Sequence, residues 1–381
     1  MGTPLPTVAG TAATDDDGTR DRFVLSRPHG TVATTGARAR FDDVDAAAAA
    51  LRTSRTDLVV GALPFARHAP CALIAPAAVE RTTGTWQPPH GLPPLPRFTV
   101  DGIRDGEHLD RVRTALDVLR DDTSVLDKVV LARTLTLTAD APAAPAAILA
   151  ALVTGTPTGN GYLVDLSAAG DSHTGRTLVG SSPEVLVRKE GSTVSCHPLA
   201  GSAPRDPRTD RDREIGRALT ASVKDRREHA FVVESVRASL APFCRTLDIP
   251  DTPTLTHTPQ LWHLGTPIRG ELRDPGTTAL DLALALHPTP AVCGTPTDLA
   301  YATIDELEGD RGFYAGAVGW CTADGDGEWM VTIRCAEISG DRRRVTAYAG
   351  GGIVAESDPR TELGETVTKF GTVLSALGVR L

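Results

Sequence analysis

Hydrophobic residues recur along the chain with two different periods, and these periods predict both strands and helices. Near the N-terminus, the alternating segments RFVLSRP and ALIAPAAVE predict strands, and VDAAAAALR predicts an alanine-rich helix between them. The stretch TWQPPHGLPPLPRF predicts an extended connector, because proline cannot continue a helix or donate to a sheet. After the connector, helical and strand patterns alternate to the end of the chain.

Turn residues between apolar runs predict hairpins in the second half of the chain. The segment VLVRKEGSTVSCHPL turns at Glu190-Gly191, and GWCTADGDGEWMVTIRCAEISGDRRRVTAYAG holds two more hairpins that turn at Gly-Asp dipeptides. Two long helices are predicted, one from Asp210 to Phe243 and one from Pro359 to Leu377. Since hairpins form antiparallel pairs, the pattern favours an α+β fold over a doubly wound parallel sheet.

Composition and charge exclude several classes of protein. The 381 residues are 41% hydrophobic, which suits a globular chain of one large domain or two medium ones. The net charge of −9 argues against binding of nucleic-acid phosphates, and no apolar run is long enough to cross a membrane. The six cysteines are scattered without a CxxC pair, and no signal peptide is visible, so we expect a cytoplasmic protein. Residues 1–20 are small, polar and acidic, and we expect a disordered tail there.

The segment AGGGIVAESDPRTELGETVTKF joins a glycine loop to the last helix. Asp358 and Pro359 predict the helix start. The apolar positions of the helix share one face, and the charged positions lie on the other: Leu363, Val367, Phe370, Leu374 and Leu377 against Glu362, Glu365 and Lys369. The charged face is commonly a solvated one with a Glu365–Lys369 pair, but it also suits Mg²⁺ and a ligand that carries carboxylates. No nucleotide-binding glycine motif is present.

Further candidates are individually ambiguous. A magnesium ion needs a second carboxylate, and Glu228 in SVKDRREHAFVVESV is available unless it only faces water. Lys128 heads an apolar strand and Glu184 begins another, positions where a charged group usually meets solvent. Arg334 alternates with apolar neighbours in a strand expected to be central, so it needs an anionic partner. His263, between Trp262 and Leu264, is by default a half-buried structural histidine.

Taken together, these segments resemble the chorismate-binding enzymes, a family that includes isochorismate synthases, salicylate synthases and the large subunits of anthranilate and aminodeoxychorismate synthases. The resemblance is close over residues 100–380, and the motifs are most similar to those of the isochorismate synthases of siderophore pathways. The segments that carry it are KVVLART, GSSPEVLVR, PLAGSAPR, KDRREHAFV, LWHLGTPIRGEL, LHPTPAVCGTP, GFYAGAVGW, WMVTIRCAE, AGGGIV and GETVTKF.

The resemblance implies a single enzyme domain over residues 21–381. Its fold would be α+β, with two packed, largely antiparallel sheets flanked by helices and an active site in the cleft between them. The implied reaction is the Mg²⁺-dependent isomerisation of chorismate to isochorismate, by attack of water at ring C2 and loss of the C4 hydroxyl.

The resemblance also implies a role for each candidate residue. Mg²⁺ would bridge the ring carboxylate to Glu228 and Glu365. Lys128 would activate water, and Glu184 would protonate the departing hydroxyl. The remaining residues would bind substrate: Arg334 and Lys369 at the enolpyruvyl carboxylate, Gly201, Ser202 and Gly350 through close backbone approach, and His263 near the ring carboxylate.

Alternatives remain at this point. A salicylate synthase would form isochorismate and then eliminate pyruvate, but Ala291 is small where those enzymes carry threonine, which favours release of isochorismate. The lysine at position 128 resembles the family members that add water to the substrate, since the members that use ammonia carry a glutamine at this position. A non-catalytic protein that binds an acidic metabolite is an alternative of another class, and it would not need both an acid and a base. We expect a monomer without nucleic-acid or membrane partners, whose product serves siderophore, menaquinone or salicylate biosynthesis.

Overall fold

The computed structural model describes residues 22–102 and 104–380, so the predicted disordered tail lies outside the described residues. The helices of the described chain are α1 (Val44–Arg52), α2 (Asp105–Leu119), α3 (Pro145–Thr154), α4 (Thr209–Ala221), α5 (Val223–Leu240), α6 (Ala279–Leu286), α7 (Thr297–Glu308) and α8 (Pro359–Ala376). The strands are β1 (Phe23–Arg27), β2 (Gly30–Phe41), β3 (Leu58–Leu63), β4 (Ala72–Thr82), β5 (Phe98–Val100), β6 (Lys128–Ala139), β7 (Gly161–Asp165), β8 (Thr177–Gly180), β9 (Val185–Glu190), β10 (Thr193–His197), β11 (Leu199–Pro204), β12 (Cys244–Asp248), β13 (Thr254–His257), β14 (Leu261–Gly265), β15 (Ile268–Leu272), β16 (Gly294–Thr295), β17 (Ala317–Thr322), β18 (Gly327–Val331), β19 (Cys335–Ile338) and β20 (Arg344–Ile353).

Seventeen strands of the described chain are hydrogen-bonded into one antiparallel sheet, which has two halves. The first half runs through neighbouring strands in the order β12, β15, β10, β9, β18, β17 and β3. The second half runs β1, β7, β8, β19, β20 and β6, with β5 and β16 also paired to β6. Strands β2 and β4 join the halves through a long ladder that is interrupted by a register shift between Ala37 and Ala39.

The two halves share one hydrophobic core, to which β3, β9, β17 and β18 contribute from one side and β1, β6 and β7 from the other. A second core lies between the second half and two helices, where Leu149 of α3 and Phe370 of α8 are fully buried. The prediction of two packed antiparallel layers flanked by helices is therefore confirmed, with the addition that hydrogen bonds continue from one layer into the other.

A separate three-stranded sheet, β11–β14–β13, packs against α4 and α5. It matters for function because β11 and β14 carry predicted substrate-binding residues. The pairing of β11 with β14 places Ser202 opposite His263, and the register shifts between Ala200 and Ser202. At this bulge Gly201 has a φ of +78°, a conformation that glycine adopts readily.

Most predicted elements are present, including α1, the three hairpins and α8, whose cap Asp358 accepts a hydrogen bond from the Thr361 amide. The single helix predicted from Asp210 to Phe243 is wrong. The chain breaks at Ser222, which has extended backbone angles and caps α5 by accepting from the Asp225 amide. The break leaves the apolar side chain of Val223 exposed at the start of α5. In the described part of the chain, no helix has the length and hydropathy needed to span a membrane.

Candidate active site

The residues singled out from the sequence converge on one cleft. Ten of the eleven line it, and the eleventh, Lys128, lies directly beneath, in contact with Glu228. The cleft is formed by the segment just before β9, the β11–β14 sheet, the N-terminal half of α5, β20 and α8. The ten lining residues are Glu184, Gly201, Ser202, Glu228, His263, Ala291, Arg334, Gly350, Glu365 and Lys369.

Lys128 begins β6, yet its side chain is fully buried. Its Nζ lies 3.0 Å from Glu228 Oε1, and the Glu228 side chain is only 13% exposed. Within the described residues, Nζ makes no hydrogen bond of good geometry, so its contact with Glu228 is an ion pair. The expectation that a lysine at a strand end meets solvent is therefore wrong here. A buried lysine needs a nearby anion, and Glu228 supplies one.

Helix α8 turns its charged positions toward the cleft. Lys369 Nζ donates to Glu365 Oε1 at 2.5 Å and to the Gly350 carbonyl at 2.8 Å. Burial alone would raise the pKa of Glu365, but the charge of Lys369 and hydrogen bonds from Lys369 and Ser202 hold it below its usual value. Glu362 is 2% exposed, whereas Val367 of the predicted apolar face is 39% exposed. The reading of Glu362, Glu365 and Lys369 as a solvated face is therefore wrong.

Glu184 lies just before β9 and is 3% exposed. Burial raises its pKa from the ordinary 4.5 to about 7, although a backbone hydrogen bond at Leu199 and the charges of Lys128 and Arg334 oppose the shift. The default reading of a glutamate that points to water does not hold. A carboxyl with this pKa is protonated in a substantial fraction of molecules near neutral pH, and it can donate a proton.

Arg334 lies between β18 and β19 rather than within a strand, which corrects the sequence-based placement. It is 4% exposed and has a φ of +53°, an uncommon conformation for a residue with a side chain and one that clusters at functional sites. Its Nη2 contacts His263 Nε2 at 3.3 Å, while its Nη1 is buried without a partner among the described residues. Burial and the charges of Arg334 and Lys369 lower the pKa of His263 well below its usual value, so the ring is neutral. The unpaired nitrogen of Arg334 is a donor available to an anionic ligand.

The glycines of β20 leave room for the charged groups. A Cβ atom on Gly352 would lie 2.4 Å from Glu228 Oε1 and 2.9 Å from Lys128 Cε. A Cβ on Gly350 would lie 2.8 Å from the Tyr314 hydroxyl, so a larger residue would displace that cleft side chain. These glycines therefore allow backbone and side chains to approach closely, as the resemblance implied for Gly350, but they lie within strand β20 and not in the predicted loop.

The structure also adds residues that the sequence reasoning did not select. Asp225 and Glu362 lie one helical turn before Glu228 and Glu365, and Lys224 Nζ pairs with Glu362 at 2.9 Å. Burial raises the pKa of both Asp225 and Glu362, to which the neighbouring carboxylates Glu228 and Glu365 contribute, respectively. The i, i+3 spacing of acidic residues in KDRREH and TELGE is the signal that could have pointed to them. Tyr314 and Tyr348, stacked with ring centroids 5.1 Å apart, also line the cleft.

The carboxylates of the cleft suit a hard cation such as Mg²⁺. Glu228 and Glu365 line the same cleft, and each is held by a lysine that neutralises its charge. Among the residues that the structure describes, no group of three or more His, Cys, Asp or Glu side chains could enclose a metal ion. Two carboxylates with open positions fit magnesium, which keeps several waters and takes its remaining oxygens from a substrate.

Comparisons with known proteins agree with this geometry. The profile of the family described as chorismate binding enzyme matches residues 92–378. The chain is 52% identical over 359 residues to a Mycobacterium tuberculosis protein named as a candidate isochorismate synthase, MenF, covering 94% of this chain and 96% of that one. It is 44% identical to the isochorismate synthase DhbC of Bacillus subtilis, covering 84% and 81%. The structure of the menaquinone-specific isochorismate synthase MenF of Escherichia coli aligns with a TM-score of 0.83 and 26% identity, covering 95% and 90%.

Proposed function

The chain belongs to the chorismate-binding enzymes, and from this premise we propose that it converts chorismate into isochorismate. The observation that carries the proposal is the joint burial of Lys128 and Glu184 at one cleft, close enough for the charge of the lysine to act on the carboxyl. A protein that only binds an acidic metabolite gains nothing from a buried carboxyl whose pKa is raised to about 7.

In the proposed reaction Lys128 acts as a neutral amine, after the proton that it holds in the ion pair with Glu228 has passed to solvent. The amine then accepts a proton from a water molecule as the water oxygen attacks ring C2. Glu184 donates its proton to the C4 hydroxyl, which leaves as water, and the ring diene shifts between the two positions. One hydroxyl is gained and one is lost, so the product is an isomer of the substrate. The raised pKa of Glu184 keeps the acid protonated at the pH where it must act.

Positively charged and polar groups of the cleft would hold the substrate in place. Arg334, through its unpaired Nη1, and Lys369 would bind the enolpyruvyl carboxylate. Backbone amides at Gly201, Ser202 and Gly350 would approach the substrate closely, and the neutral ring of His263 would lie near the ring carboxylate.

Glu228 and Glu365 would hold Mg²⁺, which when bound supplies the positive charge that allows the ring carboxylate of chorismate to lie near two glutamates. In the structure each of these carboxylates pairs with a lysine through one oxygen, Glu228 with Lys128 and Glu365 with Lys369, and movement of the carboxylates toward the ion would exchange these pairs for the metal. The same exchange would free Lys128 for water and Lys369 for the substrate.

Product analysis tests the proposal and separates it from its alternatives. The protein is incubated with chorismate and Mg²⁺, and the products are separated by chromatography. Isochorismate supports the proposal, equimolar salicylate and pyruvate would identify a salicylate synthase, and unchanged chorismate would favour the binding protein. The small side chain of Ala291 in the cleft wall is the reason to expect release of isochorismate.

The proposal extends to the domain bounds, the oligomeric state, the partners and the location of the enzyme. We place the catalytic domain at residues 21–381, acting as a monomer in the cytoplasm without nucleic-acid or membrane partners. The net charge of −9 and the scattered cysteines, all buried as free thiols in the structure, support this view. Light scattering during gel filtration would test the oligomeric state, and a particle of twice the chain mass would contradict it.

A further inference from the structure

His229 follows Glu228 on α5 but points away from the cleft. The ring is 2% exposed and has a partner on each side. Its Nδ1 lies 3.2 Å from the carbonyl oxygen of Ala200, and its Nε2 lies 2.7 Å from the hydroxyl of Thr266. The mechanism proposed above leaves this histidine without a function.

The partners determine where the protons of this network lie. A carbonyl oxygen only accepts hydrogen bonds, so Nδ1 of His229 must carry the hydrogen and donate to Ala200. In the neutral ring with its hydrogen on Nδ1, Nε2 is an acceptor, and the Thr266 hydroxyl lies 2.7 Å away and donates to it. Thr266 is itself 1% exposed. The hydrogen bonds of the network are therefore donated in one direction, from Thr266 to His229 and from His229 to Ala200.

Each end of this network is attached to part of the cleft. Ala200 is the last regular residue before the β11 bulge, which presents Gly201 and Ser202 to the cleft. Thr266 directly follows β14, the strand that carries His263. The ring itself is covalently adjacent to Glu228.

We propose that His229 is a positioning residue that fixes the bulge at Gly201 and Ser202 relative to Glu228, so that the substrate-binding backbone and the metal-binding carboxylate keep one spacing. The close approach at the bulge makes this spacing sensitive, because the Cβ position of Gly201 is already 3.1 Å from Asp225 Cβ. Without the hydrogen bond to Ala200, the bulge can shift along α5. This inference rests on the proposed function, since it assigns the bulge to substrate binding.

The test compares KM for chorismate and kcat in four variants. His229→Leu removes both hydrogen bonds and should raise KM about tenfold or more, the size expected when a buried hydrogen-bonding partner is lost. His229→Asn, whose side-chain amide can reach toward Ala200, should recover most of the lost affinity. Thr266→Val removes only the outer bond and should give a smaller rise, and Thr266→Ser should behave like wild type.

His108→Leu is the matched control. His108 is also a buried histidine, 1% exposed, and its ring nitrogens have no hydrogen-bond partner among the described residues. A purely structural role for His229 predicts lower thermal stability and less active protein, with KM unchanged in what remains. An unchanged KM in His229→Leu, or an equal rise of KM in His108→Leu, would overturn the inference. Failure of the proposed function would instead appear as absence of isochorismate with the wild-type protein.

Discussion

Replacing Gly352 by alanine should damage the reaction far more than the fold. The added Cβ would lie 2.4 Å from Glu228 Oε1, whereas ordinary contacts to a Cβ begin at 3.4 Å, so the carboxylate must move by about 1 Å. The same Cβ would lie 2.9 Å from Lys128 Cε, and the side chain of this lysine is fully buried. One methyl group therefore displaces both the proposed base and a proposed metal ligand.

The cost to folding should be small by comparison. The obstructing oxygen is at the end of a flexible side chain, so overpacking should cost about 1–2 kcal/mol, at the low end of the usual range. Alanine also lowers the conformational entropy of the unfolded chain, which stabilises the folded state by about 0.4–1 kcal/mol. In contrast, a displacement of about 1 Å in a catalytic group can lower the rate about 100-fold. This loss corresponds to about 2.7 kcal/mol in the activation barrier.

The neighbouring glycine provides the control. A Cβ on Gly351 would lie 3.4 Å from Glu362 Oε2 and 3.9 Å from Glu365 Oε1, which are ordinary contacts. The assay measures the rate of isochorismate formation against Mg²⁺ concentration for both variants, with thermal unfolding in parallel. We expect Gly352→Ala to lose about 100-fold in kcat/KM and Gly351→Ala to stay within a few-fold of wild type. Gly352→Ala with near wild-type turnover, or equal losses in both variants, would refute the reasoning.

Four further predictions concern single residues. Lys128→Ala should abolish turnover while chorismate still binds, as measured by calorimetry; retained turnover would remove Lys128 from the mechanism. Excess chelator should stop the reaction, and Glu228→Gln should weaken Mg²⁺ binding in a titration without loss of folded structure; full activity in chelator would exclude the metal. The folded pKa of Glu184 lies above its unfolded value, so its stabilising contribution is complete below about pH 4.5 and is lost as the pH rises through about 7. Urea unfolding should therefore show Glu184→Gln gaining stability relative to wild type across that window, and a difference independent of pH would contradict the raised pKa. Ala291 is partly exposed at the cleft, so Ala291→Thr should fold normally and raise pyruvate release, measured with a coupled dehydrogenase; no increase would show that this position does not control elimination.

Local pattern predicted the elements of this fold well, because alternation and turn residues act over a few neighbours. It failed where tertiary contacts decide the outcome. The break at Ser222 depends on a serine hydroxyl that caps α5, within a stretch whose helical pattern continues across it. Arg334 has the alternating pattern of a strand residue, yet its left-handed backbone separates two strands.

The burial of the charged residues in the cleft also could not be predicted from local sequence pattern. A lysine at a strand end or a glutamate on a helix faces water in most proteins, and neither position by itself distinguishes Lys128 or Glu362 from that majority. Their burial arises because β6, α5, β20 and α8 bring opposite charges together from distant parts of the sequence. The resemblance to a family selected Lys128, and the i, i+3 spacing alone would have pointed to Glu362.

The central claim, that water attacks C2 while the C4 hydroxyl leaves, is tested most directly with isotopically labelled water. The wild-type protein is incubated with unlabelled chorismate and Mg²⁺ in H₂¹⁸O, and the isochorismate formed is analysed by mass spectrometry with fragmentation. We predict one ¹⁸O atom in each isochorismate molecule, at the C2 hydroxyl, and no labelled product with Lys128→Ala. Isochorismate without the label would show that the original hydroxyl is transferred within the molecule, and it would contradict the roles proposed for Lys128 and Glu184.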